Sequence, residues 1–189
     1  MVTVYIKKID NIADSEKENI ISSLSSSALA RLNKKRNGKL FLSSLCALSL
    51  LSDSQRADLN YYESGCPFFS KLDADLSISH SKTYVAVAFS TSKSVPVGID
   101  IEDNTDGTVS QRFLTESEQK STTSPEKFLE IWTKKEALFK FLKNDSSPLI
   151  KLDSNAPKNY GAHFKTLQID NSILTICTSP TEEINIINK

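Results

Sequence analysis

The sequence predicts an α+β protein built of two similar α+β halves, residues 1–95 and 96–189. Three observations lead there. Apolar alternation marks strands at residues 2–6 and 97–102, and a short continuous apolar run marks another at 84–89; capping signals mark helices ahead of apolar segments of helical period. The order strand, helices, strands also occurs twice along 189 residues, without a sequence repeat to accompany it.

In the first half, Ser15-Glu16-Lys17-Glu18 has the form of a capping box, and Ile20, Ile21 and Leu24 complete a short amphipathic helix. The serine-rich tract at 22–27 ends it and caps the next helix. Residues 40–51 form a largely buried helix, apolar over a wide arc through Leu40, Phe41, Leu45, Leu48 and Leu51. Strand pieces at 59–61 and 76–78 flank the turn Gly65-Cys66-Pro67, and 84–89 is suited to a central strand.

In the second half, residues 95–102 read as a strand and Thr115-Glu116-Ser117-Glu118 as another capping box. Ser124-Pro125-Glu126 opens a long helix with a cap residue, proline at the first position and an acid in the first turn; it runs to about Lys143. Residues 162–169 and 173–178 form a hairpin around Asp170-Asn171-Ser172, followed by a last strand at 184–187.

Composition narrows the function classes. With 23 Lys plus Arg against 23 Asp plus Glu, the chain lacks the basic excess of a nucleic-acid binder. Cys46, Cys66 and Cys177 are odd in number, widely spaced and outside any CxxC pair, which fits neither a disulfide framework nor a zinc site. The N-terminus lacks the regions of a signal peptide and no apolar stretch is long enough to span a bilayer, so the expectation is a cytoplasmic protein with no membrane partner.

Three clusters carry chemistry. In Val97-Gly98-Ile99-Asp100-Ile101-Glu102, strand alternation turns the aliphatic side chains to a core and puts Gly98, Asp100 and Glu102 on the other face. Asp100 and Glu102 are then about 6.6 Å apart along the backbone, a gap that convergent side chains can close onto a hard cation such as Mg²⁺. Gly98 leaves room for a ligand or another backbone. The plain alternative is a solvated polar face.

On the long helix, Phe128, Trp132, Glu136 and Phe139/Lys140 share one face, placing an acid within a largely apolar stripe. Glu136 is either a third metal ligand, with Lys140 stabilising charge over a phosphate, or half of an ordinary i,i+4 pair with Lys140. The third cluster is Arg31, Lys34, Lys35, Arg36 and Lys39, five cations in nine residues without an intervening acid: a solvated face, or the binding surface for a phosphorylated small molecule. His80, between Ser79 and Ser81 where a strand gives out, is either structural or a phosphate contact.

Together these pieces resemble the 4′-phosphopantetheinyl transferase superfamily. The resemblance rests on the 97–102 strand paired with Trp132-Thr133-x-Lys135-Glu136-Ala137-x-x-Lys140. Ile78-Ser79-His80-Ser81, Arg112-Phe113-Leu114 ahead of Glu118, and the basic N-terminal helical region agree with it. It spans roughly residues 20–145, and its arrangement is like the monomeric two-halved members, which implies a monomer whose halves form a pseudo-dimer with the active site in the cleft between them.

The resemblance implies transfer of 4′-phosphopantetheine from coenzyme A to a serine of an apo acyl or peptidyl carrier protein, Mg²⁺-dependent, with release of adenosine 3′,5′-bisphosphate. By the same resemblance, Asp100, Glu102 and Glu136 are the Mg²⁺ ligands, with Glu136 and Lys140 catalytic. Arg31, Lys35, Lys39, Ser79 and His80 contact coenzyme A. Two departures stand out: Cys66 occupies the place of a lysine common in relatives, and Asn144-Asp145-Ser146-Ser147-Pro148 replaces the glycines common after the long helix. A Mg²⁺-dependent phosphohydrolase acting on a pyrophosphate, and a non-catalytic module binding coenzyme A or carrier proteins, remain as alternatives.

Overall fold

The computed structural model describes residues 1–35, 38–104, 111–143 and 148–189; Arg36 of the basic run and residues 144–147 lie outside them. The chain opens with β1 (Val2–Lys8) and four helices: α1 (Asp14–Ser22), α2 (Ser26–Asn33), α3 (Gly38–Ser49) and α4 (Asp53–Asp58). Then come β2 (Leu59–Tyr61), β3 (Pro67–Phe69), β4 (Leu76–His80) and β5 (Tyr84–Ser90). The remainder comprises β6 (Gly98–Asp103), α5 (Glu116–Ser121), α6 (Pro125–Leu142), β7 (His163–Ile169), β8 (Ser172–Thr178) and β9 (Ile184–Asn188).

The architecture is mixed α+β with several sheets, as expected. One sheet has the order β4-β5-β1-β9 and another β6-β8-β7, while β2 and β3 form a small ribbon. In both larger sheets the leading strand, β1 or β6, lies antiparallel to the second strand of the later antiparallel pair, β4/β5 or β7/β8. The last strand, β9, crosses back to pair parallel with β1.

Alternation along β5 explains the layering. Tyr84, Ala86 and Ala88 face a core shared with Val2, Val4 and Ile6 of β1, Ile99 and Ile101 of β6, and Leu174 and Ile176 of β8. Val85 and Val87 point the other way, into a second core under α1, α2 and α3 with Ile20, Leu32 and Leu45. The outer face of the β6-β8-β7 sheet is covered by α6 through Ala137, Leu138 and Phe141 against Cys177 and Phe164. The order is therefore helices, sheet, sheet, helix, and no helix among the described residues is long and apolar enough to cross a membrane.

At one side of this sandwich the edge strands β4 and β6 meet through side chains. Asp75 Oδ2 accepts from Val97 N (2.9 Å), Ser77 Oγ from Ile99 N (3.1 Å) and Ser79 Oγ from Ile101 N (3.4 Å). Alternate residues of one strand thus satisfy alternate, buried N–H groups of the other, which would otherwise cost free energy as unpaired donors. Lys143, just beyond α6, adds an ion pair to Asp75 and donates to Leu76 O at 2.7 Å.

Several local readings need correction. α1 begins at Asp14 with Ala13 as its cap and no side-chain cap bond, so the capping box expected from Ser15 does not form; Asp14 instead pairs with Lys17 at 2.8 Å. The serine tract does cap α2, where Ser25 accepts from Ala28 N. α4 and β3 had no counterpart in the expectation. α4 is a six-residue helix under a Ser52/Gln55 capping box, too short for an apolar period, and Pro67 of β3 had been assigned to a turn. The Thr115/Glu118 box and the Ser124-Pro125 start of α6 form as expected.

Candidate active site

β6 leads the candidate site. Its aliphatic residues Ile99 and Ile101 are fully buried, as is Val97 ahead of it, and Asp100 turns away from them toward α6 and β4. Gly98 is needed for the helix to approach: a Cβ there would sit 1.9 Å from Ala137 O and 2.6 Å from Phe141 N. The room left by the missing side chain is therefore filled by backbone, and the close contact sets α6 against the strand carrying Asp100.

Asp100 is only 3% exposed. Its Oδ1 accepts from Lys140 Nζ at 2.6 Å and from Ser79 Oγ at 2.8 Å. Its Oδ2 is buried and, among the described residues, has no hydrogen-bond partner. Lys140 consequently pairs with Asp100, so the simple i,i+4 pair with Glu136 is not what α6 makes.

Glu102 and Glu136 are half-buried in the same electrostatic field. Burial, and after it the Asp100 charge, pushes Glu102 up to about 7, with Glu136 and Asp103 adding and Lys140 opposing. Burial and Asp100 likewise raise Glu136, again against Lys140. Burial and the Asp100 charge thus raise both glutamates against Lys140, an arrangement that favours an added cation.

Among the described residues no three His, Cys, Asp or Glu side chains converge closely enough to enclose a metal. The donor set nevertheless fits a hard divalent ion. All three groups offer oxygen, and Asp100 holds a buried oxygen in need of a partner.

The cationic side begins at the end of β4. Burial lowers the His80 pKa, with Lys35 and Lys140 adding to the effect. His80, Lys39, Ser43, Lys82 and Glu102 line a cleft of about 550 Å³, so the cleft runs from ammonium groups to a carboxylate of the site. His80 also borders a small recess with Arg31, Lys35 and Tyr61. Lys35 donates to Ser44 Oγ at 2.6 Å, and burial followed by the charge of Arg31 lowers its pKa.

Arg31 stacks over Tyr61 at 4.6 Å from the ring centre and lies against Gly65, whose φ of +89° suits glycine. The turn that contains Cys66 thus has a cation beside it, supplied by α2. Of the residues expected to meet coenzyme A, Arg31, Lys35, Lys39 and His80 border these two spaces, which share His80, whereas Ser79 is buried against Asp100.

The expected stripe on α6 is partly realised. Phe128 packs with Leu114 and Ile131, Trp132 is partly buried beside them, and its ring lies 6.0 Å from that of Phe113. Phe139, by contrast, is 39% exposed.

The largest surprise is Lys135, fully buried and bonded to Glu118 Oε2 at 2.6 Å and to Leu152 O. Glu118 also accepts from Ser154 N, Ser154 Oγ and Thr115 N at 2.7–2.8 Å. Burial would raise the Glu118 carboxyl, but the Lys135 bond and these donors hold it below its ordinary value. The network ties α5 and the 152–154 segment to α6 one residue from Glu136. Its sequence signal was a lysine inside the Trp-Thr-x-Lys-Glu motif, on the helix face that should be apolar.

Compared with families of known proteins, residues 96–182 match the model of the 4′-phosphopantetheinyl transferase superfamily. The match contains β6, α6 and the whole β6-β8-β7 sheet. No characterised protein matches the chain.

Proposed function

We propose, from the premise that residues 96–182 form a domain of the 4′-phosphopantetheinyl transferase superfamily, that the chain moves 4′-phosphopantetheine from coenzyme A to a serine of an apo acyl or peptidyl carrier protein. The observation that carries this reading is the cleft that brings His80, Lys39 and Lys82 together with Glu102, whose carboxyl is raised by burial and by Asp100 and Glu136 beside it. A pyrophosphate ester suits the cations directly and the carboxylates through a divalent cation held between them and its oxygens.

In this reading residues 1–95 and 96–189 act as two halves of a pseudo-dimer, supported by the shared order of β4-β5-β1 and β7-β8-β6, with β9 of the second half crossing to complete the first sheet. Arg31, Lys35, Lys39 and His80, all before residue 95, bind the phosphates of coenzyme A. Asp100, Glu102 and Glu136 hold Mg²⁺, which when bound neutralises pyrophosphate oxygens and stabilises the leaving group. Arg31 supplies the charge that Cys66 lacks.

The carrier serine oxygen forms a bond to the β-phosphorus as the bond to the bridging oxygen of adenosine 3′,5′-bisphosphate breaks. Glu136, its basicity raised by burial and by Asp100, accepts the serine proton. Lys140 offsets negative charge beside Asp100 and, 3.1 Å from Ser79, stands at the junction of the halves. Three free cysteines suit a cytoplasmic protein, and one chain supplies every residue of the scheme, so the proposed active form is a monomer.

The test is incubation of the purified protein with coenzyme A, Mg²⁺ and a panel of apo carriers, read by mass spectrometry. The expected result is a gain of one phosphopantetheinyl group on at least one carrier, abolished by Asp100→Ala and by Glu136→Ala in folded protein. Pyrophosphate cleavage without carrier gain would instead make the chain a phosphohydrolase. Coenzyme A binding without turnover across the panel would make it a binding module.

A further inference from the structure

Ser79 lies in a segment whose resemblance implied a contact with coenzyme A, yet its hydroxyl is committed elsewhere. It donates to Asp100 Oδ1 (2.8 Å) and accepts from Ile101 N (3.4 Å) and Lys140 Nζ (3.1 Å). A serine hydroxyl has one proton and two lone pairs, so none remains for a phosphate. The residue is 7% exposed, and the carboxylate it touches 3%.

We propose that Ser79 is a positioning residue: from the opposite strand it holds Asp100 Oδ1, together with Lys140, so that the buried Oδ2 is the oxygen presented to the divalent cation. This rests on the metal assignment made above and deepens it.

The geometry supports it in two ways. Both identified donors to Asp100 fall on the same oxygen, at 2.6 and 2.8 Å, which fixes the carboxylate plane and leaves its other oxygen without a protein partner in a buried place. Such an oxygen is costly to bury unless something binds it. Ser79 is also pinned by Ile101 N, two residues from Ile99, which Ser77 holds in the same manner. The orientation of Asp100 is thus set by the junction of β4 with β6.

Ser77 provides the internal control, because it makes the same kind of bond to a β6 amide and is not among the donors to Asp100. The experiment is titration of Mn²⁺ into the full chain, followed by loss of the free-ion electron paramagnetic resonance signal, with and without coenzyme A. Ser79→Ala should weaken Mn²⁺ binding about 10–100-fold, the usual effect of removing a hydrogen-bond partner of a metal ligand. Ser79→Thr should stay within a few-fold of the unaltered protein, as should Ser77→Ala. If Ser79→Ala does not fold, Ser79→Cys, with similar bulk and a weaker donor, carries the same test.

Equal Mn²⁺ affinity in Ser79→Ala and the unaltered protein, equal losses in Ser77→Ala and Ser79→Ala, or no Mn²⁺ binding by the unaltered protein would each overturn the proposal. Carrier modification is measured separately. Transfer that persists while Ser79→Ala binds Mn²⁺ normally would sink only the positioning role. Weakened Mn²⁺ binding in a chain that modifies no carrier would leave that role standing and sink the transferase reading.

Discussion

Replacing Lys135 by methionine tests how α6 is held in place. The change keeps an unbranched side chain of similar length but removes the ammonium from a fully buried pair, leaving Glu118 without its cation and Leu152 O without that donor. Breaking one side of a buried pair costs about 3–5 kcal/mol. The lower part of that range applies, because Ser154 N, Ser154 Oγ and Thr115 N still donate to the carboxylate. With about 2.1 cal/mol/K of unfolding entropy per residue, a 189-residue chain has about 0.4 kcal/mol/K, so a loss of 3 kcal/mol lowers Tm by about 8 °C. Trp132, the only tryptophan, lies on α6 beside Phe113 and reports urea unfolding by fluorescence. Adding Glu118→Gln should restore about 1–2 kcal/mol, since the uncompensated charge is gone. In the unaltered protein Glu118 is held below its ordinary 4.5, so its stabilisation is present above that pH and lost as pH falls through the lowered folded value. In Lys135→Met the buried carboxyl shifts upward instead, so the destabilisation shrinks as pH is lowered from 7.5 toward 5.5. A loss under about 1 kcal/mol, or no coupling between the two substitutions, would refute this account.

Gly98→Ala should cost at least about 3 kcal/mol in chemical denaturation and abolish transfer, because its Cβ meets backbone of α6 at 1.9 Å and the helix must move away from Asp100. A stable, active Gly98→Ala protein would contradict the close packing. Without divalent metal, Glu102 should make the protein less stable as pH rises from 4.5 to about 7, with the full cost above that window, because its folded pKa is raised from 4.5. The 2.5-unit difference corresponds to about 3 kcal/mol, reduced to about 2 by partial exposure. Saturating Mg²⁺ should flatten the slope between pH 5.5 and 8 in urea titrations, since a cation favours the charged carboxylate. Identical slopes with Mg²⁺ and with a chelator would count against cation binding here.

The parts of the fold legible in the sequence were those whose local signal and tertiary role coincide. Val97, Ile99 and Ile101 alternate because they enter the shared core, and Ser124-Pro125 starts α6 because a cap and a proline suit a helix entry whatever packs behind it. Where tertiary contacts compete with local signals, the reading failed. Ser15 sits inside the first turn of α1 because the helix starts earlier, at Asp14. Lys140 turns from its i+4 neighbour Glu136 toward Asp100, a partner 40 residues away. The helix period placed Glu136 and Lys140 on one face, but it held no information about a carboxylate brought opposite by β6. Lys135 is legible as part of the Trp132–Lys140 motif but its partner is not, because Glu118 reads locally as the acid of a capping box, which it also is.

Strand parity resolves the one site residue that changed place. Side chains of a strand alternate between faces, so Ser77 and Ser79 share one side and His80 takes the other. The β6 residues that receive this side are Ile99 and Ile101, at the same separation of 22 positions, and Asp75 extends the series to Val97. A serine in that series must satisfy a buried amide before it can serve a ligand. His80, freed by the parity, borders the cleft with Lys39 and Glu102. Adjacent residues of one short motif therefore differ in surroundings: Ser79 bonds the Asp100 carboxylate inside the junction, and His80 borders the cleft. Because Ser79 belongs to β4 and Asp100 to β6, any separation of those two strands would disturb the carboxylate and the cationic wall together, which makes the polar ladder between them part of the site.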